Sequence, residues 1–358
     1  MLKPYKKMKI GGGELGIWFR VIRIVPFIFS CLLGELSAKA ADGTLIEAAK
    51  KEGSVTWYTT QIVNQFAVPA AAAFERKYGI KVNYVRADNA GVNLRLWQEA
   101  KAGKVQADIF DGTVATKLIR EGLVLKWQPD AVKELPNEYR DPQGYWVATN
   151  LYVLTPGINT NLVRQGTEPR VYEDLLDPRW KGRMVWAGRA APSAAGGFIG
   201  AVISTMGEVK GKTFLQQLAK QNITALGVSA RVVLDQVIAG EYAIGLNIFN
   251  HNTTISAAQG APTTWLPMNQ ALSVFSIAGI TRDAPHPNSA KLMVEFLVSE
   301  EGQRLYSDAD YIAVHPRVPP RDPTLRPDGF RFKATFVQPD ELEDKLAEWW
   351  KIYEDIFK

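Results

Sequence analysis

An α/β fold in two lobes is what this sequence predicts, and three observations predict it. The chain has 358 residues, 46% of them apolar, which is enough for two domains and a sizeable core. From residue 45 onward, short β-branched and aromatic runs alternate with helical patterns, as in a mostly parallel sheet covered on both faces. A long extended run, "GYWVATNLYVLTPGINT" at 144–160, then interrupts the alternation and can cross from one lobe to the other.

The elements follow in order. A short amphipathic helix at 45–52 stops at Gly53, a residue suited to the left-handed turn that ends helices. "VTWYT" is a strand, "AVPAAAAFERKYG" a helix closed by Gly79, and "IKVNYV" alternates as a strand. The helix "GVNLRLWQEAKAG" closes at Gly103, and the strand "ADIF" precedes the helix "TVATKLIREG". Beyond the crossing, "RVYEDLLDPRWKGRMVWAG" gives a helical turn and a strand. "SAAGGFIGAVISTMG" and "KGKTFLQQLAKQN" give two helices, the second with Phe214, Leu215 and Leu218 on one face. Ser229 and Gly240 bracket the helix "SARVVLDQVIAG" as N-cap and stop. "YAIGLNIF", "TTWLP" and "LSVFSIAGI" are strands, and "NSAKLMVEFLVSEEGQRLY" is one helix capped by Asn288. A proline-rich segment at 316–327 runs over the surface. The closing helix at 341–357 covers a lobe with Leu346, Trp349, Trp350 and Tyr353.

Charge narrows the function. The formal charge is +5, but the first forty residues carry seven basic against two acidic side chains, so residues 41–358 are neutral. That balance gives no grip on nucleic acid or on an anionic membrane. The leader has secretory grammar: a basic start, the apolar run "IVPFIFSCLLG", then small residues at Ala38 and Ala40, with cleavage expected after Ala40. The apolar run falls short of the roughly 20 residues a spanning helix needs. The only cysteine, Cys31, lies within the leader, so the mature chain carries no thiol and no disulfide.

Seven stretches, in order, carry a family resemblance: "GSVTWYTTQ", "FERKYGIKVNYVRAD", "EAKAGKVQADIFDG", "LIREGLVL", "YEDLLDPRWKGRMVWA", "LDQVIAGEYAIGL" and "APHPNSAKLMVEFLVSEEGQ". Together they resemble the periplasmic solute-binding proteins of ABC importers, nearest to the ferric-binding type, across residues 44–315. The resemblance implies a class II periplasmic binding protein: two α/β lobes joined by crossing hinge strands around a ligand cleft. It places residues 41–149 plus 271–312 in one lobe and 150–270 plus 313–358 in the other, with 1–40 as the signal peptide. It also implies closure on a small-molecule ligand and delivery to an ABC permease in the inner membrane. Carried over position by position, the ferric ligands of that type fall near Ile62 and on Thr113, Asn250 and His251. No phenolate or carboxylate remains among them, and Fe(III) favours oxygen anions. The expected cargo is therefore a small polar organic solute or anion. Ferric iron held by His251 with a bound anion or chelator is the alternative.

Candidate binding residues sit at strand ends, where open α/β sheets hold ligands. Thr59, Thr60 and Gln61 end the first strand and offer donors and acceptors; plain capping explains them equally well. Asp111 and Thr113 follow "ADIF", with Asp111 either capping the next helix or meeting a cationic group. Asn150 and Tyr152 lie on the crossing strand. Ser193, Gly196 and Gly197 match, loosely, the family's anion site at a helix start; tight helix packing is the alternative. Arg231 is placed to pair with a carboxylate. Asn247, Asn250 and His251 end the strand in "GLNIFNHNTTIS", where unpaired polar groups need partners. Trp57 and Trp265 read as core, and His286 and His315 as loop residues. No metal site, cofactor or catalytic residue is indicated: the chain lacks a nucleophile elbow, a P-loop, a dinucleotide fingerprint and a His pair at metal spacing. A monomeric binding protein, not an enzyme, is the expectation.

Overall fold

The computed structural model describes residues 43–327 and 331–358; the leader, with Cys31 and the expected cleavage point, lies outside them. The first helix, α1 (Gly43–Glu52), ends at Gly53 with φ +75° and leads into β1 (Ser54–Thr59). A single π-turn over Val63–Ala67 precedes α2 (Val68–Tyr78), which Gly79 closes in the left-handed conformation. Next come β2 (Lys81–Arg86), α3 (Asn89–Lys101) with Asp88 as N-cap, and β3 (Ile109–Gly112). The following helix, α4, covers only Thr116–Arg120, shorter than the sequence pattern predicts. Asp111 does not cap it; this carboxylate turns back to the loop after β1.

The long extended run is β4 (Val147–Asn159), thirteen residues buried throughout. Its pairing shifts register between Thr155 and Gly157, at Pro156, which has no N–H to give to a ladder. The second half of the chain adds β5 (Met184–Ala187), α5 (Ala195–Met206) and α6 (Glu208–Ala219). A short β6 (Thr224–Leu226), absent from the sequence reading, precedes α7 (Ala230–Ala239), where Ser229 and Gly240 act as predicted. Then follow β7 (Ile244–Phe249), α8 (Asn250–Ala258), β8 (Thr263–Trp265) and β9 (Gln270–Ile280).

The single helix expected at 288–306 is two: α9 (Pro287–Val298) and α10 (Glu300–Asp308). Ser299 breaks them, leaving helical angles and accepting the Gly302 N–H on its hydroxyl. Asn288 is not the cap. The start of α9 is capped from outside by Glu52, which accepts from the N–H groups of Asn288 and Ser289 at 3.0 and 2.7 Å. After β10 (Ile312–Ala313), the proline-rich segment is not wholly on the surface, since Val318 and Leu325 are buried. It leads to β11 (Lys333–Val337), also unforeseen, and to α11 (Pro339–Phe357).

The eleven strands of the described residues form one sheet, in the order β2-β1-β3-β9-β4-β7-β5-β6, with β8 and β10 on β4 and β11 on β9. Parallel pairing is confined to the flanks and to β9–β11. The centre, where β4 and β9 meet β3, β7, β8 and β10, is antiparallel. The sequence reading of a mostly parallel sheet missed this, because two long crossing strands bring the flanks together without helical crossovers.

Aromatic packing closes both flanks. On one, Phe66 lies 3.9 Å from Tyr306 and 6.2 Å from Trp57, and Phe74 packs on Phe296 at 5.6 Å. On the other, Trp186 meets Phe198, Tyr353 and Phe357 at 5.7, 5.7 and 4.8 Å. All of these rings except the half-buried Phe357 are buried, and each buried ring contributes about 1.5–3 kcal/mol. Helix α11 comes so close to α5 that a Cβ on Gly200 would lie 2.5 Å from the Trp349 ring.

Candidate functional site

The C-terminal ends of six strands open on one cleft of about 520 Å3. Thr60 and Ile62 follow β1, Arg86 ends β2 ahead of Asp88 and Asn89, and Thr113 follows β3. From the other flank come residues 189–194 after β5, residues 228–231 after β6, and Phe249, His251 and Asn252 around the end of β7. Tyr152 on β4 and Tyr311 just before β10 complete the lining in the middle.

The middle is a floor of rings. Tyr152 lies 4.8 Å from Phe249 and stacks on His251 at 5.6 Å, and His251 meets Tyr311 at 4.9 Å. Burial, with a smaller push from Asp111, raises the Tyr152 phenol to about 12, so it stays neutral. Burial alone lowers His251 to about 3, so its imidazole is uncharged, and its Nδ1 has no hydrogen-bond partner.

Beneath the floor, polar groups tie the strands together. The Tyr152 hydroxyl donates to Gln61 Oε1 at 3.2 Å, and Gln61 Nε2 donates to Asn150 Oδ1 and Ser276 Oγ at 3.2 and 3.0 Å. The loop after β1 is thereby fastened to both long strands. Asp111, fully buried, accepts from the Trp57 indole at 2.8 Å and from Thr60 through both its N–H and its hydroxyl. Burial raises the Asp111 carboxyl, and these donors oppose the rise.

The rims are cationic. Arg86 stands on one flank, Arg189 and Arg231 on the other, and Asp88 is the only carboxylate in the lining. The Arg231 guanidinium is held by Asp235 at 2.6 Å and Ser256 at 2.9 Å. Arg86 and Arg189 make no ion pair or side-chain hydrogen bond among the described residues. Asp88 accepts the Gly91 N–H at 2.8 Å and so caps α3. Asn89 holds the turn after β3 by accepting the Thr113 N–H at 2.7 Å.

Of the residues selected from sequence, Thr60, Thr113, Tyr152, Ser193, Arg231 and His251 meet in this cleft. The others stand behind it. The Thr59 hydroxyl accepts the Gln61 N–H at 3.0 Å, while Gln61, Asp111 and Asn150 belong to the network beneath the floor. Asn247 donates to the Pro192 and Ala194 carbonyls at 2.7 and 2.9 Å, and Asn250 donates to the Leu325 carbonyl at 2.9 Å. Gly196 and Gly197 lie buried in the first turn of α5, and the Gly197 N–H donates to the Ala191 carbonyl at 3.3 Å. A Cβ on Gly197 would overlap the Pro192 carbonyl oxygen, so the backbone that approaches this glycine is the chain's own. Arg86, Asp88, Asn89, Arg189, Phe249, Asn252 and Tyr311 were not selected from sequence. Arg86, Asp88, Asn89 and Arg189 end or directly follow predicted strands, so the strand-end rule would have found them.

The residues falling on the ferric positions do not converge as a metal shell. Ile62, Thr113 and His251 line the cleft, but Asn250 faces Leu325. No cluster of three or more His, Cys, Asp or Glu side chains able to hold a metal ion occurs among the described residues.

The profile of the family described as bacterial extracellular solute-binding protein matches residues 106–330, more than half of the chain. The chain belongs to this family. Among the relatives of this solute-binding protein, a putative 2-aminoethylphosphonate-binding periplasmic protein of Salmonella paratyphi A is 23% identical over 76% of this chain and 78% of its own. Iron uptake protein A1 of Synechocystis is 23% identical over 95% of each. The solved periplasmic binding protein AfuA of Actinobacillus pleuropneumoniae, with exogenous fructose-6-phosphate bound, superposes with a TM-score of 0.71 at 22% identity, covering 85% of this chain and 98% of AfuA. The solute-binding protein thus has the class II periplasmic binding fold. It is the substrate-binding component of an ABC importer, taking up a small solute and delivering it to a permease. No helix among the described residues is long and apolar enough to cross a membrane.

Proposed function

We propose that the solute is a small organic anion, captured in the periplasm when the cleft shuts about the crossing strands β4 and β9. The carrying observation is the pair of cationic rims, with Arg86 and Arg189 unpaired on opposite flanks. Bringing two guanidinium rims together costs Coulomb energy, which rises as water leaves the cleft. An anion between them reverses the sign and supplies a charge-assisted bond to each side. Ligand and closure are then one equilibrium, and the permease meets a shape that the free protein rarely adopts. The Thr113 hydroxyl adds a hydrogen bond from the first flank and the Ser193 hydroxyl one from the second. Relatives named for a phosphonate, and a fold neighbour solved with a sugar phosphate, agree with an anionic cargo. A thermal-shift screen of organic anions, neutral sugars and amines tests this. Anions at a hundredfold excess over Kd stabilise by about 2.7 kcal/mol; stabilisation by neutral sugars or amines alone contradicts it.

The same reading makes the chain a monomer without nucleic-acid contacts, exported by cleavage after Ala40. The neutral charge balance of residues 41–358 supports the lack of nucleic-acid contacts, and the basic, apolar and small-residue order of the first forty residues supports export. It also makes the chain a binder without turnover. Ser54, His286 and Asp108 do align, with 3.4 Å from Ser54 Oγ to His286 Nε2 and 3.0 Å from His286 Nδ1 to Asp108. The N–H groups of Asn288 and Ser289 at the start of α9, the next in the chain after His286, are already taken by Glu52 and are not free to serve as an oxyanion hole. Labelling of Ser54 by a fluorophosphonate, or hydrolysis lost in Ser54→Ala, would sink this part.

A second reading, ferric iron held by His251 with a bound anion or chelator, is favoured by the relative named for iron uptake and by the cationic rims that would hold the anion. A visible charge-transfer band on adding Fe(III) with citrate supports it; a colourless protein rules against it.

A further inference from the structure

The cleft is larger than a bare anion requires and is wrongly built for one. Its 520 Å3 is many times the roughly 30 Å3 that a single water occupies. A phosphate or sulfate ion would leave most of it wet. The part left over is mostly apolar. In the sheet order β9 and β4 are central and β7 lies beside β4; β4, β7 and their ends carry Tyr152, Phe249 and His251, with Tyr311 beside them. Alanines and a proline from residues 187–194 form the facing wall. The cationic groups stand at the ends of the flanking strands: Arg86 ends β2, and Arg189 and Arg231 follow β5 and β6.

His251 points to the same kind of occupant. Neither ring nitrogen makes a hydrogen bond among the described residues, and Nδ1 is sealed from water. A buried acceptor without a partner costs less than a buried donor without one. The proton therefore belongs on Nε2, where it serves as a neutral donor at the edge of the ring floor. A neutral donor beside aromatic faces suits an acceptor on the edge of a flat ring.

We infer that the solute is a small planar aromatic or heteroaromatic acid, its ring against the floor of Tyr152, Phe249, His251 and Tyr311 and its anionic group between Arg86 and Arg189. The inference rests on the anionic reading above and adds the ring. Offset or edge contacts between aromatic rings contribute beyond simple burial, which a saturated ring of equal size does not reproduce.

Calorimetric titration of the full mature chain tests it with matched probes: benzoate against cyclohexanecarboxylate, phenyl phosphate against cyclohexyl phosphate, and inorganic phosphate alone. The expected result is at least tenfold tighter binding of each planar acid than of its saturated partner, with inorganic phosphate weakest. In Phe249→Leu, which keeps an apolar side chain, the ratio of planar-acid to saturated-acid affinity shrinks severalfold. Equal affinity for planar and saturated acids overturns the ring while leaving the anion reading intact. Binding of neither acid, with capture of a neutral or cationic solute, overturns both.

Discussion

Thr60 and Asp111 are joined twice: the Thr60 N–H donates to Asp111 Oδ1 at 2.8 Å and the Thr60 hydroxyl to the same oxygen at 2.6 Å. Because the hydroxyl donates inward, its lone pairs are what it offers the cleft. With the Trp57 indole on the other oxygen, one buried carboxylate fixes the first wall of the binding site to the core.

Asp111→Ala orphans the Trp57 and Thr60 donors. At about 1–3 kcal/mol for each unmet buried group, we expect a loss of about 3 kcal/mol or more, read as a lower denaturant midpoint at unchanged slope. The pH dependence has a definite sign. Burial raises this carboxyl in the folded protein, so there it gives up its proton at a higher pH than in the unfolded chain. Its contribution is fullest below the unfolded pKa and is lost as pH rises through the folded value. Denaturation of Asp111→Asn should lack that component.

Glu52 caps α9 from another element, accepting from Asn288 and Ser289. Glu52→Ala should cost about 1 kcal/mol, the usual worth of a helix cap. Burial pushes its carboxyl up, but the bonds from Ser289 and Asn288 outweigh this and hold it below its ordinary value. The stability it gives is therefore present above the unfolded pKa and fades as pH falls through the folded one. Thermal melts of wild type and variant should converge in acid.

Gly200 is where α11 meets α5. Gly200→Ala forces a methyl into the Trp349 ring, and overpacking of this kind costs about 1–3 kcal/mol. Melting temperature should fall, while affinity for the ligand should not change, since Gly200 itself is not in the cleft lining.

His251 titrates at about 3 in the folded chain because burial opposes its charge. An unfolded histidine protonates near 6.5. Between those values the unfolded state binds the extra proton, so stability drops as pH falls, by at most roughly 1.4 kcal/mol per pH unit. His251→Phe, which keeps a ring in the floor, should flatten this part of the stability profile.

Much of this was legible in the chain. Glycines at 53, 79 and 240 stop their helices because only the left-handed conformation continues the path there, and Ser229 caps α7 as its spacing implies. Strands β6 and β11 were not legible, being short edge segments without a buried alternating face. The break at Ser299 was hidden because apolar spacing runs through it unchanged. At the site, strand ends identified Thr60, Thr113 and His251. Asn247 and Asn250 occupy equivalent places but satisfy chain carbonyls instead, a choice made by tertiary contacts at Pro192 and Leu325. Tyr311 reaches the cleft only because β10 pairs with β4, a long-range fact with no local mark.

The central claim, that an anion bridges the two rims, is met most directly by titrating an organic acid into wild type and into the double variant Arg86→Ala/Arg189→Ala. Two charge-assisted bonds at about 1.5–3 kcal/mol each predict a loss of affinity of about a hundredfold or more, with wild-type affinity falling as salt is added. Undiminished, salt-independent binding by the double variant would contradict the account.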